Sequence, residues 1–588
     1  MNSSQESLKM CGIYFSKLLN GNCKTLGIRL RTILRNRGPD CQNEIHLPGM
    51  FFAGFVLWQQ GSSPSIQPLE NDQYIFLLNG DIFNADKDES ISDLNWLLER
   101  FSSCESDQEL LEVFKVIEGP YSFILYNKTT EDVFFGRDSL GRNSLLLQKS
   151  DEEIVISSTL DQSTSSCIEI PPLGIYKLLK SPDALSLYPW KEFDDYQKEE
   201  FQKISNMFSS TTLESQINPL WVSPSQAFYD FNLYSLVEGQ NEDIFNFLLK
   251  DEEILKAVDF FISLLEKSVK DRVLTTPKYC SDCVQEKKGC LHAKVAVLFS
   301  GGIDCTILAS LVDRCLPKDE PVELLNVAFE KVGQQEISWD VPDRISAWNS
   351  YKELKDLFPE RKWKLVEINV LRENLQRELD EHVKHLLFPL KTVLDESLGC
   401  VFWFASRGET LESGGLLEDG NHEIERELER ENKPNERTYK SPARIILLGS
   451  GADELFGGYI RHRNAFSRCK GSIEEKLQSV ENELELDWQR IPSRNLGRDD
   501  RVIADNAKTA RSPFIEENIV RFVRGLRGYQ KCCMTLPEGV GDKLFLRLTG
   551  FRLGLKEVVG YKKRAAQFGS RIADKKQNAR DFSVYLKI

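Results

Sequence analysis

The stretch that most constrains this chain runs from Lys294 to Cys315. An apolar run, Lys294 to Phe299 (KVAVLF), breaks at Ser300-Gly301-Gly302-Ile303-Asp304, and a helical pattern follows from Thr306 to Cys315. A buried strand that turns through glycines straight into a helix belongs to a parallel sheet, because parallel neighbours need a crossover connection. The runs Glu323 to Phe329, Lys364 to Asn369 and Arg444 to Leu448 supply further parallel strands. The second half of the chain therefore reads as an α/β parallel-sheet domain.

The first part reads differently. Met50 to Trp58, Tyr74 to Leu78, Tyr121 to Tyr126 and Val133 to Phe135 are short β-type runs broken by turn residues, with helices expected at Thr25 to Arg35 and Ser92 to Phe101. Three regions follow: a β-rich domain over 11–188, a linker or insertion over 189–251, and the α/β domain over 252–588. A charged insertion is expected within the last, near 409–440, where Glu, Asn and Arg crowd together. No internal repeat is visible.

Composition matters here for what it excludes. A net charge of −15 argues against nucleic acid as a partner, and no apolar run reaches the ~20 residues of a membrane span. The 14 cysteines are scattered through apolar segments, as expected of reduced thiols in a cytoplasmic protein. Small-molecule substrates are the expected partners, and a homo-oligomer is compatible with everything above.

Two loops carry the chemistry of the second half. Around Ser300, Gly301 and Gly302, free N–H groups and a helix N-terminus suit a phosphate, with Asp304 placed for Mg²⁺ and Cys305 closing the turn. The alternative is a turn that only caps a helix. The second loop, Leu448-Gly449-Ser450-Gly451-Ala452-Asp453-Glu454-Leu455-Phe456-Gly457-Gly458-Tyr459, sets paired carboxylates after a strand. Without a ligand, Asp453 and Glu454 would be an ordinary acidic pair at a helix start.

The first loop resembles the SGGxDS pyrophosphatase loop, and the second resembles the SGEGADELFGGY signature of asparagine synthetases. The Walker pattern GxxxxGK[ST] is absent from the region. Ala510 to Phe514 resembles the ARVPF segment, and Asn326 to Glu330 resembles the second ATP strand. The resemblance implies ATP binding at Ser300, Gly301, Gly302, Asp304, Cys305, Val327 and Gly449, and metal binding at Asp304 and Asp453. Its pyrophosphate-binding lysine falls near Lys562, Lys563 and Arg564, and Lys563 is taken here. Ala565-Ala566-Gln567-Phe568 stands where the family reads KEQF, and Ser450 stands where it reads Glu.

In the N-terminal part, Cys11-Gly12-Ile13, Arg37-Gly38-Pro39-Asp40, Asn79-Gly80-Asp81 and Ser92-Asp93 resemble the motifs of class II glutamine amidotransferases. The fold implied is an α+β N-terminal nucleophile-type sandwich, antiparallel sheets between helices, followed by an ATP-pyrophosphatase domain. Cys11 would be the nucleophile, Asn79 and Gly80 the oxyanion hole, and Asp93 the partner of the glutamine α-amine. That chemistry needs Cys11 as the first residue, produced by initiation at Met10 and removal of that Met. Two departures stand against it: the leader Met1 to Lys9, and Phe55-Val56-Leu57 where the family carries a carboxylate-binding Arg. As a whole the chain resembles the divergent asparagine synthetase domain-containing group. The implied reaction couples glutamine hydrolysis to ATP-dependent amidation of a carboxylate, nominally aspartate. The alternatives are an ATP-binding scaffold, or an amidotransferase with another acceptor.

One further group stands apart. Cys280, Cys283, Cys290 and His292 precede the ATP strand with spacing that suits Zn²⁺, although the last pair is closer than in ordinary fingers.

Overall fold

A computed structural model describes residues 11–19, 26–38, 40–162, 167–180, 184–219, 221, 229–237, 243–276, 279–284, 289–331, 337–410, 439–573, 580–584 and 586. The leader, Met10 and most of the charged insertion near 409–440 lie outside these residues.

Thirteen strands form the N-terminal part: β1 (Gly12–Leu18), β2 (Cys41–Leu47), β3 (Met50–Val56), β4 (Leu69–Glu70), β5 (Tyr74–Gly80), β6 (Tyr121–Asn127), β7 (Val133–Arg137), β8 (Leu146–Lys149), β9 (Glu153–Ser157), β10 (Cys167–Glu169), β11 (Gly174–Leu178), β12 (Ala184–Pro189) and β13 (Ser210–Leu213). They make a six-stranded sheet, β10-β8-β9-β1-β3-β2, and a seven-stranded sheet, β13-β12-β11-β7-β6-β5-β4. Every strand pair is antiparallel except β12 with β13.

Alternation explains the layers. Ile13, Phe15 and Phe52 of the first sheet meet Ile75, Leu77, Ile124 and Phe135 of the second. The outer neighbours Phe51 and Phe55 meet Leu30 and Leu34 of the helix Ile28–Arg37. On the far side, Phe76 and Phe123 meet Leu97, Phe101 and Phe114 of the helices Asp93–Ser102 and Asp107–Lys115. Antiparallel sheets between helices is thus the observed arrangement.

The region expected as a linker is partly regular. Asp194 caps the helix Asp195–Ser205 with a capping box, and Ile204 and Phe208 enter the N-terminal core. β13 then extends the second sheet. Leu233 and Leu248, further on, join the core of the α/β part instead. The sequence hid this because only one turn of the helix is apolar and β13 is polar, held by ladder hydrogen bonds rather than burial.

In the second half, β14 (Val295–Leu298), β15 (Val322–Phe329), β16 (Trp363–Val370), the short pair β17 (Glu409–Thr410) and β18 (Tyr439–Lys440), β19 (Ile445–Leu447) and β20 (Thr509–Arg511) follow in order. All but the short pair form one parallel sheet, β16-β15-β14-β19-β20. All eight residues of β15 are buried, as expected of a strand covered on both faces. One face packs on the helices Glu252–Leu274 and Ile303–Cys315, the other on the helix Val393–Arg407. The chain leaves β14 toward β15 and β16 and returns on its other side at β19. That reversal opens a crevice at the C-terminal ends of β14 and β19.

Buried charge joins the two halves. Arg511 grips Asp81 at 2.9 and 2.8 Å, Arg37 meets Asp500 at 2.9 Å, and Arg444 meets Asp40 at 3.0 Å. Arginine suits such buried bidentate partnerships. No helix among the described residues is long and apolar enough to cross a membrane.

Candidate functional site

The crevice is a cavity of about 820 Å³. Ser300, Gly302, Asp304 and Cys305 line it from the β14 side, Gly449, Ser450, Asp453 and Glu454 from the β19 side, and Val327 and Asp343 from β15 and beyond. Gly301 has φ +71°, and a Cβ there would lie 2.2 Å from the Ser346 carbonyl carbon, so only glycine lets the loop sit against the helix Pro342–Leu357. At Gly302 a Cβ would meet nothing closer than Ser300 Oγ at 3.4 Å, leaving its backbone open to a ligand. Gly449 backs onto Asp304, whose Cβ would lie 3.0 Å from an added side chain. The thiol of Cys305, which also lines the cavity, donates to the Gly302 carbonyl at 3.2 Å.

Asp304 and Asp453 converge on one cation, Lys543. Its Nζ lies 2.8 and 2.7 Å from the Asp304 oxygens and 3.0 Å from Asp453 Oδ1. Lys563 reaches Asp453 Oδ2 at 3.2 Å. Burial opposes the charge of Asp453, but the two lysines outweigh it and hold this carboxyl below its usual range. Burial, reinforced by the charge of Asp453, lifts Asp304 against the pull of Lys543 and, more weakly, Lys563. Two carboxylates are hard oxygen donors of the kind Mg²⁺ takes, and both line the cavity. The donor set thus fits the ion.

Lys543 is a residue of this cluster that sequence reasoning did not single out, whereas Lys563, which it did, also reaches Asp453. The signal available was Gly541-Asp542-Lys543, a turn opening the helix Leu544–Arg552. Lys543 itself has φ +52°, an uncommon backbone for a lysine. Two further acids face the cavity. Burial, reinforced by Asp453, pushes Glu454 up to about 7, although Tyr459 donates to it at 2.6 Å. Burial likewise lifts Asp343 to about 7 against the pull of Arg564 and Lys563.

The N-terminal residues also meet, but in another state. Cys11 precedes β1, and burial pushes its thiol up to about 12; the thiol faces the Leu57 carbonyl at 3.8 Å. Asn79 turns its amide so that the nitrogen donates to the Cys11 carbonyl at 3.2 Å and the oxygen accepts from Arg37 at 3.3 Å. Arg37 also donates to that carbonyl at 3.3 Å. Gly80 is required, since a Cβ would lie 2.6 Å from the Pro120 carbonyl oxygen. Asp93, at the start of its helix, accepts from the Ile82 N–H at 3.2 Å and pairs with Lys87 at 3.1 Å. Lys87 is only 4% exposed, and burial lifts Asp93 to about 7 despite it. A lysine ammonium thus occupies the carboxylate expected to hold an α-amine.

Cys280, Cys283, Cys290 and His292 also converge, with their ligand atoms all within 4.8 Å of one another.

Comparison with known proteins agrees with both halves. A family model described as a glutamine amidotransferase domain matches residues 10–207, and one described as asparagine synthase matches 436–547. An asparagine synthetase domain-containing protein of Drosophila melanogaster is 45% identical, covering 97% of this chain and 99% of its own. A protein of the same description from Gallus gallus is 35% identical over 97% of this chain and 98% of its own. A Saccharomyces cerevisiae relative is 27% identical over 86% and 80%.

Proposed function

The chain belongs to the asparagine synthetase domain-containing proteins, and on that premise we propose that it activates a carboxylate with ATP and amidates it, drawing poorly on glutamine for nitrogen. The observation that carries this reading is the convergence of Asp304 and Asp453 beside the Ser300–Gly302 loop, at the point where the sheet order reverses.

In the proposed reaction ATP is the co-substrate. An oxygen of the acceptor carboxylate attacks the α-phosphorus and pyrophosphate leaves; ammonia then attacks the activated carbonyl and AMP leaves. Ser300 and the backbone of Gly301 and Gly302 hold phosphate oxygens, and Val327 lines the nucleotide end. Asp304 and Asp453 would hold Mg²⁺, which when bound offsets the charge of the pyrophosphate. Lys543 and Lys563 orient that group and together hold the Asp453 carboxyl below its usual range. Glu454 and Asp343, each titrating near neutrality, hold or release a proton facing the cavity.

On the N-terminal side, Cys11, Asn79, Gly80 and Asp93 are assembled, yet their polar groups are already spent on one another and on Lys87 and Arg37. A protonated thiol is a weak nucleophile. The poor use of glutamine rests on this.

A second reading, an ATP-binding scaffold without turnover, is favoured by Ser450 and Ala565 in positions where the family reads Glu and Lys. ATP–pyrophosphate exchange, run with aspartate and then with a panel of other carboxylates, separates the two. Exchange above the acceptor-free background supports the enzyme and names its acceptor class. Tight ATP binding with no exchange for any acceptor leaves the scaffold.

A further inference from the structure

The loop that enters β14 carries a cluster the amidation chemistry does not use. We infer that Cys280, Cys283, Cys290 and His292 form a structural zinc site that staples the α/β part to the N-terminal part.

Geometry is the first argument. Cys280 Sγ lies 3.3 Å and Cys283 Sγ 3.5 Å from His292 Nδ1. A tetrahedral ion with Zn–S of about 2.3 Å and Zn–N of about 2.0 Å sets S···N edges of about 3.5 Å and S···S edges of about 3.8 Å. All four ligand atoms fall within 4.8 Å of one another, as such a tetrahedron requires. The three sulfurs are unbonded thiols, whereas a disulfide would bring two of them to about 2.0 Å.

The surrounding backbone fits too. The N–H groups of Asp282 and Cys283 turn toward the Cys280 sulfur, and those of Cys280 and His292 toward the Cys290 sulfur. Donors aimed at sulfur offset the surplus negative charge of three thiolates around one dication. Four protein ligands close the coordination shell, which marks a structural rather than a catalytic ion.

Position gives the purpose. Ser281 donates to the Pro442 carbonyl through its N–H at 2.9 Å and its hydroxyl at 3.0 Å, tying the cluster to the entry of β19. Tyr279 packs at a tilt against Trp58 with ring centroids 6.0 Å apart, and Val284 buries against the same indole. Trp58 belongs to the N-terminal part, and its carbonyl accepts from Arg444 at 2.8 Å beside the Arg444–Asp40 pair. The cluster thus sits beside the entries of β14 and β19 and against the opposite half of the molecule. Trp58, Tyr279 and Val284 form a small apolar contact between the two parts.

The test is metal analysis of the full-length chain purified without chelator, by plasma mass spectrometry, alongside a Cys283→Ser, Cys290→Ser double variant. About one zinc per chain is expected in the parent, and less than about one tenth of that in the variant. So that the result does not depend on the variant's folding, the parent is also treated with a strong chelator under native conditions. Chelation should then open Cys280, Cys283 and Cys290 to alkylation and lower the melting temperature, with both effects reversed by added Zn²⁺. A folded parent with less than about a tenth of an equivalent of zinc would overturn the inference. So would zinc retained by the double variant, or an intact disulfide among the three cysteines in the non-reduced peptide map.

Discussion

Lys543 Nζ sits between Asp304 and Asp453, 2.7 Å from the nearer oxygen of the first and 3.0 Å from the second. The lysine side chain is 2% exposed, so the two carboxylates share its desolvated ammonium, and Asp453 also meets Lys563. Burial works against that charge, but both acids together raise the lysine above its ordinary value. Such a trio is balanced only while the cation stays, and it makes Lys543 the hinge between the apo and metal-loaded site.

Lys543→Met should therefore destabilise the chain by up to about 3 kcal/mol, since it takes the paired ammonium from the part-buried Asp304 and leaves Asp453 with Lys563 alone. Added Mg²⁺ should recover part of that loss and raise the melting temperature more in the variant than in the parent. Thermal unfolding with and without Mg²⁺ measures this. An unchanged melting temperature in the variant would show that the trio is not balanced as described.

Asp304→Ala and Asp453→Ala should each abolish binding of ATP with Mg²⁺ while leaving the fold intact. Both carboxylates follow parallel strands at the crevice, where a metal bridging pyrophosphate oxygens would lie. Calorimetric titration with nucleotide reads the effect. Parental affinity in both variants would return the two loops to a purely structural role.

Ser450→Glu should raise ammonia-dependent amide formation. Ser450 lines the cavity beside Asp453, and a hydroxyl cannot accept a proton from incoming ammonia as a carboxylate does. Partial recovery of the about 10²- to 10⁴-fold that general-base catalysis supplies is expected if the rest of the site is intact. The assay compares amide formation from ammonia and from glutamine. Wild-type turnover with glutamine equal to that with ammonia would contradict the closed N-terminal site.

Glutamine should fail to stabilise the parent chain, because Lys87 already occupies Asp93. Lys87→Ala leaves that buried carboxylate unpaired, so the variant should melt lower. Glutamine should then restore part of the loss through its α-amine, whereas an N-acetylated analogue should not. A clear rise in the parent's melting temperature on adding glutamine would sink this idea.

Glu454 shapes the pH dependence. Its folded value of about 7 lies above the ordinary 4.5, so the native state holds a proton that the unfolded state releases. The stabilisation is fully present below about 4.5 and is lost as pH rises through about 7, by up to about 3 kcal/mol. Glu454→Gln should flatten the decline in stability between those values. Denaturant midpoints at pH 5 and pH 8 decide it; an identical slope in parent and variant would count against a raised Glu454.

Much of this molecule was legible in the sequence because local physics writes it there. The apolar strand ahead of Ser300, the glycines after it, and the acidic pair after Leu448 state a strand, a turn and a ligand loop at fixed offsets. The Cys11, Arg37, Asn79 and Asp93 motifs likewise stand at the ends of strands and helices that the β-type runs and turn residues anticipate. The cluster at Cys280 was legible as spacing alone. The helix Asp195–Ser205 and β13 were not, because one is mostly solvated and the other is held by a neighbour's hydrogen bonds.

What the sequence by itself determined is therefore the set of elements and the chemistry each loop can offer. Only the tertiary structure decided which of those loops meet. Val297 of β14 pairs with Leu447 of β19 across a long intervening stretch of chain, and that register alone brings Asp304 to Asp453. Local periodicity cannot encode strand order, because every buried parallel strand presents the same apolar pattern. The choice of Lys543 between the acids, and of Lys87 on Asp93, follows from the same cause. A carboxylate forced out of water must find a cation, and only the folded chain determines which one is within reach.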